Sequence, residues 1–347
     1  MIVVRILGGL GNQMAQYAFF LKLRSVHKNV KIDKSSYYSA FKSHNGYELK
    51  KVFGIKGNSA AIKEIEALSV YKNIRLVYCV SRIARVLFLY NIIKKFAKRS
   101  KITTLSEEPH QQIEESGNMS FRGKIVRFAK RCFGNVLYLV NESGFISQTH
   151  FIEPAEFYGK HLQHPDIYYE GFWQNIDYYS DVLDTVTSCF TFKGKLRGKN
   201  KKLLEFISTS EVCSVSIHVR RGDYVDNPGF DNVSAGYFER AVERLEEQLH
   251  IEPDYVVFSD DIEWVKENSA YLNDRKCHWV DWNKGKNSYK DMWLMSRCTH
   301  NIIVNSSFSW WASLLNPNRE KIIIVPKQYA QSAPKFPKGV MYFMVDN

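Results

Sequence analysis

Short apolar runs rich in β-branched residues punctuate the second half of the chain, at residues 213–219, 255–259, 277–280, 301–305 and 321–325. Each is too short for a core helix and reads as a buried strand. Between them, at 237–248, 262–268, 289–297 and 308–315, apolar positions recur at helical spacing. The alternation predicts an α/β protein with a parallel sheet covered on both faces, and ligands at the carboxyl ends of its strands. The first residues repeat the theme with a strand at 2–7, a turn at 8–13, a helix from about 14 to 27 and a second strand at 30–33. Another element begins at 47–49, and 192–202, rich in Lys and Gly, reads as a linker.

At 347 residues, 45% hydrophobic and 14% aromatic, the chain has material for two cores, with an expected division into 1–200 and 201–347. The six cysteines are scattered without a Cys-x-x-Cys pair, which points to a reducing cytoplasm. The first strand begins at once, with no signal-like lead ahead of it, and no apolar run approaches the roughly 18 residues of a spanning helix. Charge changes the picture more. The net charge is +12, and residues 72–131 carry fourteen Lys or Arg against Glu107, Glu108, Glu114 and Glu115. Within that stretch, 77–96 sets Arg82, Arg85, Lys94 and Lys95 among aliphatic residues. Two readings fit: a basic amphipathic helix lying on the anionic inner membrane, or a helix packed on its own domain with a solvated basic edge. Nucleic acid is disfavoured as a partner, because no recognised nucleic-acid motif is present and all seven Trp occur from Trp173 onward.

Candidate chemistry gathers at the predicted carboxyl ends. His218-Val219-Arg220-Arg221-Gly222-Asp223-Tyr224 places two guanidinium forks and an imidazole there, a set that matches a pyrophosphate; an ordinary surface cluster is the alternative. After the strand at 301–305, Ser306 and Ser307 open a helix whose free N–H groups suit a phosphate, although either serine could simply cap that helix. Gly8-Gly9-Leu10-Gly11-Asn12-Gln13 is not a dinucleotide fingerprint, since Met14 stands where a small residue is required. Its glycines allow close backbone approach, with the Asn12 and Gln13 amides at the mouth of the strand. No Asp-x-Asp triplet is present to hold a divalent ion on a diphosphate.

In order along the chain, Gly8 to Met14, Gly171-Phe172-Trp173-Gln174, His218 to Tyr224, Phe258-Ser259-Asp260-Asp261, Asp281-Trp282-Asn283 and Asn305-Ser306-Ser307-Phe308-Ser309-Trp310-Trp311 resemble the motifs of the bacterial alpha-1,2-fucosyltransferases, glycosyltransferase family 11. The resemblance is dense from about 216 to 326, clear in the first twenty-odd residues and weak between about 56 and 151. Two departures, Ala15 for a usual Phe and Ala312 for a usual Gly, bear on acceptor preference.

The resemblance implies a GT-B-like fold, two Rossmann-like domains facing across a cleft, with the acceptor on the side of 1–200 and the GDP-sugar on that of 201–347. It implies inverting transfer of L-fucose from GDP-β-L-fucose to the 2-hydroxyl of a galactoside, with no metal and no further cofactor. Arg220 would take the β-phosphate, His218 the nucleotide, Ser306 and Ser307 the phosphates, and Phe308 the sugar or base. Asp291 would read the guanine edge, unless it only complements its helix dipole. Arg221 would join the donor contacts or pair with Asp223. Asp260 and Asp261 would read ribose or cap the next helix, Asn12 would orient a substrate, and Asp223 is the expected general base. The expected acceptor is a galactose-terminated oligosaccharide or lipid-linked glycan, such as an O-antigen unit. A GDP-mannose transferase would share every phosphate contact named here, and a silent sugar-binding module would tolerate loss of Arg220 and Asn12.

Overall fold

A computed structural model describes residues 1–37, 44–68, 146–147 (as backbone), 166–209, 211–222, 234–327 and 335–347. The basic stretch 72–131, with its amphipathic 77–96, and Asp223 lie outside these residues.

The described chain forms two parallel sheets. In the first, β1 (Ile2–Arg5) lies between β2 (Val30–Asp33) and β4 (Ile167–Glu170), with β3 (Ile146–Ser147) at the edge beyond β4. The second runs in the order β10 (Met341–Val345), β9 (Ile322–Pro326), β8 (His300–Ile302), β5 (Ser214–Val219), β6 (Asp254–Ser259), β7 (Cys277–Val280). The protein is thus α/β and GT-B-like in plan, each half a Rossmann-like layer. Strand order reverses between β1 and β4 in one sheet and between β5 and β8 in the other, and such reversals open a crevice at the carboxyl ends.

Helix α1 (Leu10–Val26) is buried on most of its circumference, including Leu10, Met14, Tyr17, Phe19, Phe20 and Leu23. A helix apolar nearly all round belongs between two layers. One continuous apolar cluster accordingly runs from Val4, Phe20 and Trp173 to Val256, Ile303, Trp311 and Val325. Trp311 anchors the join, edge-on to Phe190 at 5.1 Å and stacked on Tyr179 at 6.2 Å. Burying a large apolar side chain contributes about 2–3 kcal/mol, so this seam is a major stabilising element.

Strand β5 shows how sequence alternation builds the site. Val215, Ile217 and Val219 point into a second cluster with Tyr237 and Phe238 of α6 (Ala235–Glu246). Ser214, Ser216 and His218, also buried, lie on the opposite face. Their polarity is matched by a side-chain chain in which Asn301 donates to Ser216 Oγ at 2.6 Å and Asn316 donates to Asn301 Oδ1 at 2.9 Å.

Several boundaries differ from expectation. Helix α1 starts at Leu10, with Gly9 extended at its N-cap, so Gly11, Asn12 and Gln13 form its first turn instead of a preceding loop. The strand expected at 301–305 ends at Ile302, because Ser306 N–H turns back on Val304 O at 2.6 Å. The linker expected through 202 ends at Gly198, since Lys199–Ile207 is helical. Strands β4 and β10 were not expected. Among the described residues no helix is long and apolar enough to cross a membrane, and Cys189, Cys213, Cys277 and Cys298 are free thiols.

Candidate active site

The four segments that follow β1, β4, β5 and β8 carry the site. After β1, Gly8 turns with φ +79°, and α1 meets the N-terminus of α9 (Ser307–Leu314) at Gly11. A Cβ at Gly11 would stand 2.6 Å from the Ser307 carbonyl carbon and 2.7 Å from Phe308 N. Only glycine permits this approach, and it brings the positive ends of two helices together.

The loops around this junction are held by buried amides. Gln13 donates to Gly8 O and Gly46 O and accepts from Glu48 N, while Gln16 accepts from Leu7 N and donates to Gly171 O, all within 2.8–3.0 Å. Asn12 Oδ1 accepts from Ser307 Oγ at 2.8 Å and from Gln174 Nε2 at 2.7 Å, joining the two halves. The role of Gln174 was not foreseen; the signal was its place in the Gly171 to Gln174 string, with no hint of its partner.

Across the junction, His218 is 7% exposed and its ring centre lies 5.7 Å from that of half-buried Phe308. Burial, reinforced by neighbouring Arg220, holds the imidazole down at about 4, so it is neutral near pH 7. Its Nδ1 is buried and has no hydrogen-bond partner among the described residues. Arg220 pairs with Asp260 at 2.8 Å, and Asp260 also accepts from the backbone N–H groups of Arg221 (2.9 Å) and Gly222 (3.1 Å). Asp260 is thus the clamp that shapes the turn after β5, which the two sequence readings, ribose contact or helix cap, did not include. Asp261 does cap α7 (Ile262–Glu267), accepting from Trp264 N.

Arg221 turns away from the junction, pairing with Asp261 at 3.3 Å and lying 3.5 Å above the Trp264 ring. Ser306 caps α9 by accepting from Phe308 N at 3.3 Å, and Ser307 makes the bridge to Asn12. Asp291 stands apart, on α8 (Tyr289–Met295), where it accepts from Asn283 Nδ2 at 2.7 Å; Asn283 is paired in turn with Asn200. Burial pushes the Asp291 carboxyl up to about 8, against the stabilising hydrogen bond from Asn283. Nearby, Asn45 donates to Gly285 O at 3.0 Å, a further contact between the halves.

Comparison with known proteins identifies the family. The model for Glycosyl transferase family 11 matches residues 1–338. An alpha-1,2-colitosyltransferase of Escherichia coli is 28% identical over 331 residues, covering 94% of this chain and 91% of its own. The O-antigen biosynthesis glycosyltransferase WbnK of Escherichia coli is 26% identical over 328 residues, covering 93% and 92%. Galactoside alpha-(1,2)-fucosyltransferase 1 of Bos taurus is 29% identical over 164 residues, covering 45% of each chain. The family match spans the first sheet, every strand of the second except β10 and every segment of the helix junction, and the chain belongs to glycosyltransferase family 11.

Proposed function

We propose that this glycosyltransferase moves L-fucose from GDP-β-L-fucose to the 2-hydroxyl of a galactoside, with inversion, forming an alpha-1,2 linkage in a surface glycan such as an O-antigen. The observation that carries the reading is the meeting of two helix N-termini beside a partly exposed Arg220 and a neutral His218 whose Nδ1 has no partner among the described residues. Such a place favours a diphosphate and discourages a cation. The alpha-1,2 linkage in the names of the Escherichia coli and bovine relatives supports the regiochemistry.

In this mechanism the acceptor oxygen attacks C1 of the sugar from the face opposite the nucleotide, and the bond from C1 to the β-phosphate oxygen breaks. Negative charge collects on GDP, where Arg220 and the first turns of α1 and α9 stabilise it without a metal. His218 and Phe308 contact the nucleotide or sugar, Ser306 and Ser307 shape the phosphate cradle, and Asp291 accepts from the guanine N1–H and 2-amino group. Asp223, three residues beyond Arg220, takes the acceptor proton. We assign residues 1–200 to the acceptor side and 201–347 to the donor side. Reaction at the cytoplasmic face of the inner membrane, on a lipid-linked glycan, completes the proposal. A second reading, transfer of a colitosyl group by the same site, is favoured by the name of the first Escherichia coli relative.

The test is GDP release from GDP-fucose, GDP-mannose and a colitosyl donor, with lactose as acceptor and EDTA present, alongside Arg220→Ala. Fucose-dependent turnover that falls about 100 to 1000-fold in the variant supports donor, metal independence and the role of Arg220 together. Turnover with the colitosyl donor alone selects the second reading. A chain that binds neither GDP nor any of these donors rules out both.

A further inference from the structure

Trp173 occupies left-handed backbone, φ +53°, a conformation that a bulky residue rarely adopts. Its indole is fully buried, stacked on Phe19 at 4.0 Å and edge-on to Tyr169 and Tyr178. The packed ring holds the chain in this turn, and the next residue, Gln174, thereby reaches α1. Strained backbone of this kind tends to persist where a side chain must be aimed.

What Gln174 aims at is Asn12. A carbonyl oxygen has two lone pairs, and those of Asn12 Oδ1 are taken by Gln174 Nε2 at 2.7 Å and Ser307 Oγ at 2.8 Å. The carboxamide is therefore set with its oxygen toward these donors and its NH2 toward the β1 turn. A Cβ at Gly8 would lie 2.7 Å from Asn12 Nδ2, so glycine there leaves the NH2 its place. Among the described residues that NH2 makes no hydrogen bond, and Asn12 is half-buried at the start of the helix that follows β1, one of the two strands at which the first sheet reverses order.

We propose that Gln174 is a positioning residue: by donating to Asn12 Oδ1 it holds the Asn12 NH2 toward the donor, where it gives a hydrogen bond to an oxygen of the sugar or diphosphate. This rests on the donor site proposed above. An ionised carboxylate in place of the Gln174 amide cannot donate. It would draw the Asn12 NH2 to itself and turn the carbonyl oxygen toward an anionic substrate.

Gln174→Glu is expected to lower kcat about 100-fold and Gln174→Met about tenfold, with the acceptor KM unchanged. In an Asn12→Ala background Gln174→Glu should cost no further kcat, because the group through which it acts is gone. A full additional loss in that background, or a Gln174→Glu kcat near that of the unaltered enzyme, overturns the proposal. The orientation is also read without substrate, from the side-chain amide resonances of Asn12 in asparagine-labelled protein, assigned by their loss in Asn12→Ala. Gln174→Glu should shift them and Gln174→Met should shift them less; unshifted resonances refute the positioning role. If the unaltered enzyme turns over no GDP-fucose, the fucosyl reading fails while the amide measurement still decides on Gln174.

Discussion

Arg5 and Arg220 close the same kind of contact at corresponding places. Each lies at or just beyond the carboxyl end of the strand where its sheet reverses order, and each meets a carboxylate, Glu170 at 2.5 Å and Asp260 at 2.8 Å. Their exposure separates them. The first pair is sealed, with side chains 11% and 17% exposed, and Tyr168 and Asp33 close a second buried contact beside it at 2.5 Å. The second pair is 32% and 26% exposed, and Asp260 would keep two backbone N–H partners if Arg220 turned to a phosphate. Breaking the first pair opens a contact built around a buried guanidinium, whereas breaking the second leaves Asp260 its two backbone N–H partners. One geometry thus builds a closed ion pair in one half and a partly open one in the other.

Exchange of roles by substitution tests this contrast. Arg220→Ala should lose activity as given above while the urea midpoint of unfolding hardly moves. Arg5→Leu should do the reverse first, losing about 3 kcal/mol of stability before any effect on turnover of the folded fraction. Comparable stability losses in the two variants would erase the distinction.

A smaller effect comes from Asp291. Burial pushes its carboxyl up to about 8, and the proposed contact with guanine requires it ionised. Below that pH the ionised fraction grows tenfold per unit, so GDP affinity should rise up to tenfold per unit between pH 6 and 8 and level off above. Stability should move the other way. The raised folded pKa means that the native state binds more protons than the unfolded chain, so stability falls as pH rises from about 4 toward 8. Asp291→Asn should flatten both slopes, and calorimetric GDP titration across this range would expose a carboxylate that never meets the base. His218, held near 4 when folded, adds no slope to GDP binding above pH 6, but its contribution to stability rises with pH up to about 7, so the Asp291 slope is read as the difference from Asp291→Asn.

Smallest of all should be Arg221→Gln. The guanidinium is committed to Asp261 and Trp264, and its partner carboxylate is 45% exposed, so a stability change of roughly 1 kcal/mol or less and kcat within about threefold are expected. A kcat loss as deep as that of Arg220→Ala would return Arg221 to the donor site.

The legible parts of the molecule were those written in local periodicity. Strands β2 and β7 lie where the alternating or continuous apolar runs put them, and α7 begins at Ile262 behind an aspartate cap. The start of α1 was misjudged because glycine and asparagine read as turn formers, while their place in a helix depends on α9 lying against them. Strand β4, four residues with two tyrosines, has too short a pattern to announce itself without β1 beside it. Ser306 and Ser307 read alike in sequence, yet one caps its own helix and the other reaches across to Asn12, a partner 295 positions away.

Residue types and their spacing were enough to establish the α/β plan, the family resemblance and a cluster of phosphate-seeking groups near strand ends, because burial patterns and helix-start chemistry are local properties of the chain. Which arginine stays open, which serine bridges the halves and which way the Asn12 amide faces were settled by contacts between residues 40 to 295 positions apart, and no local pattern encodes such contacts.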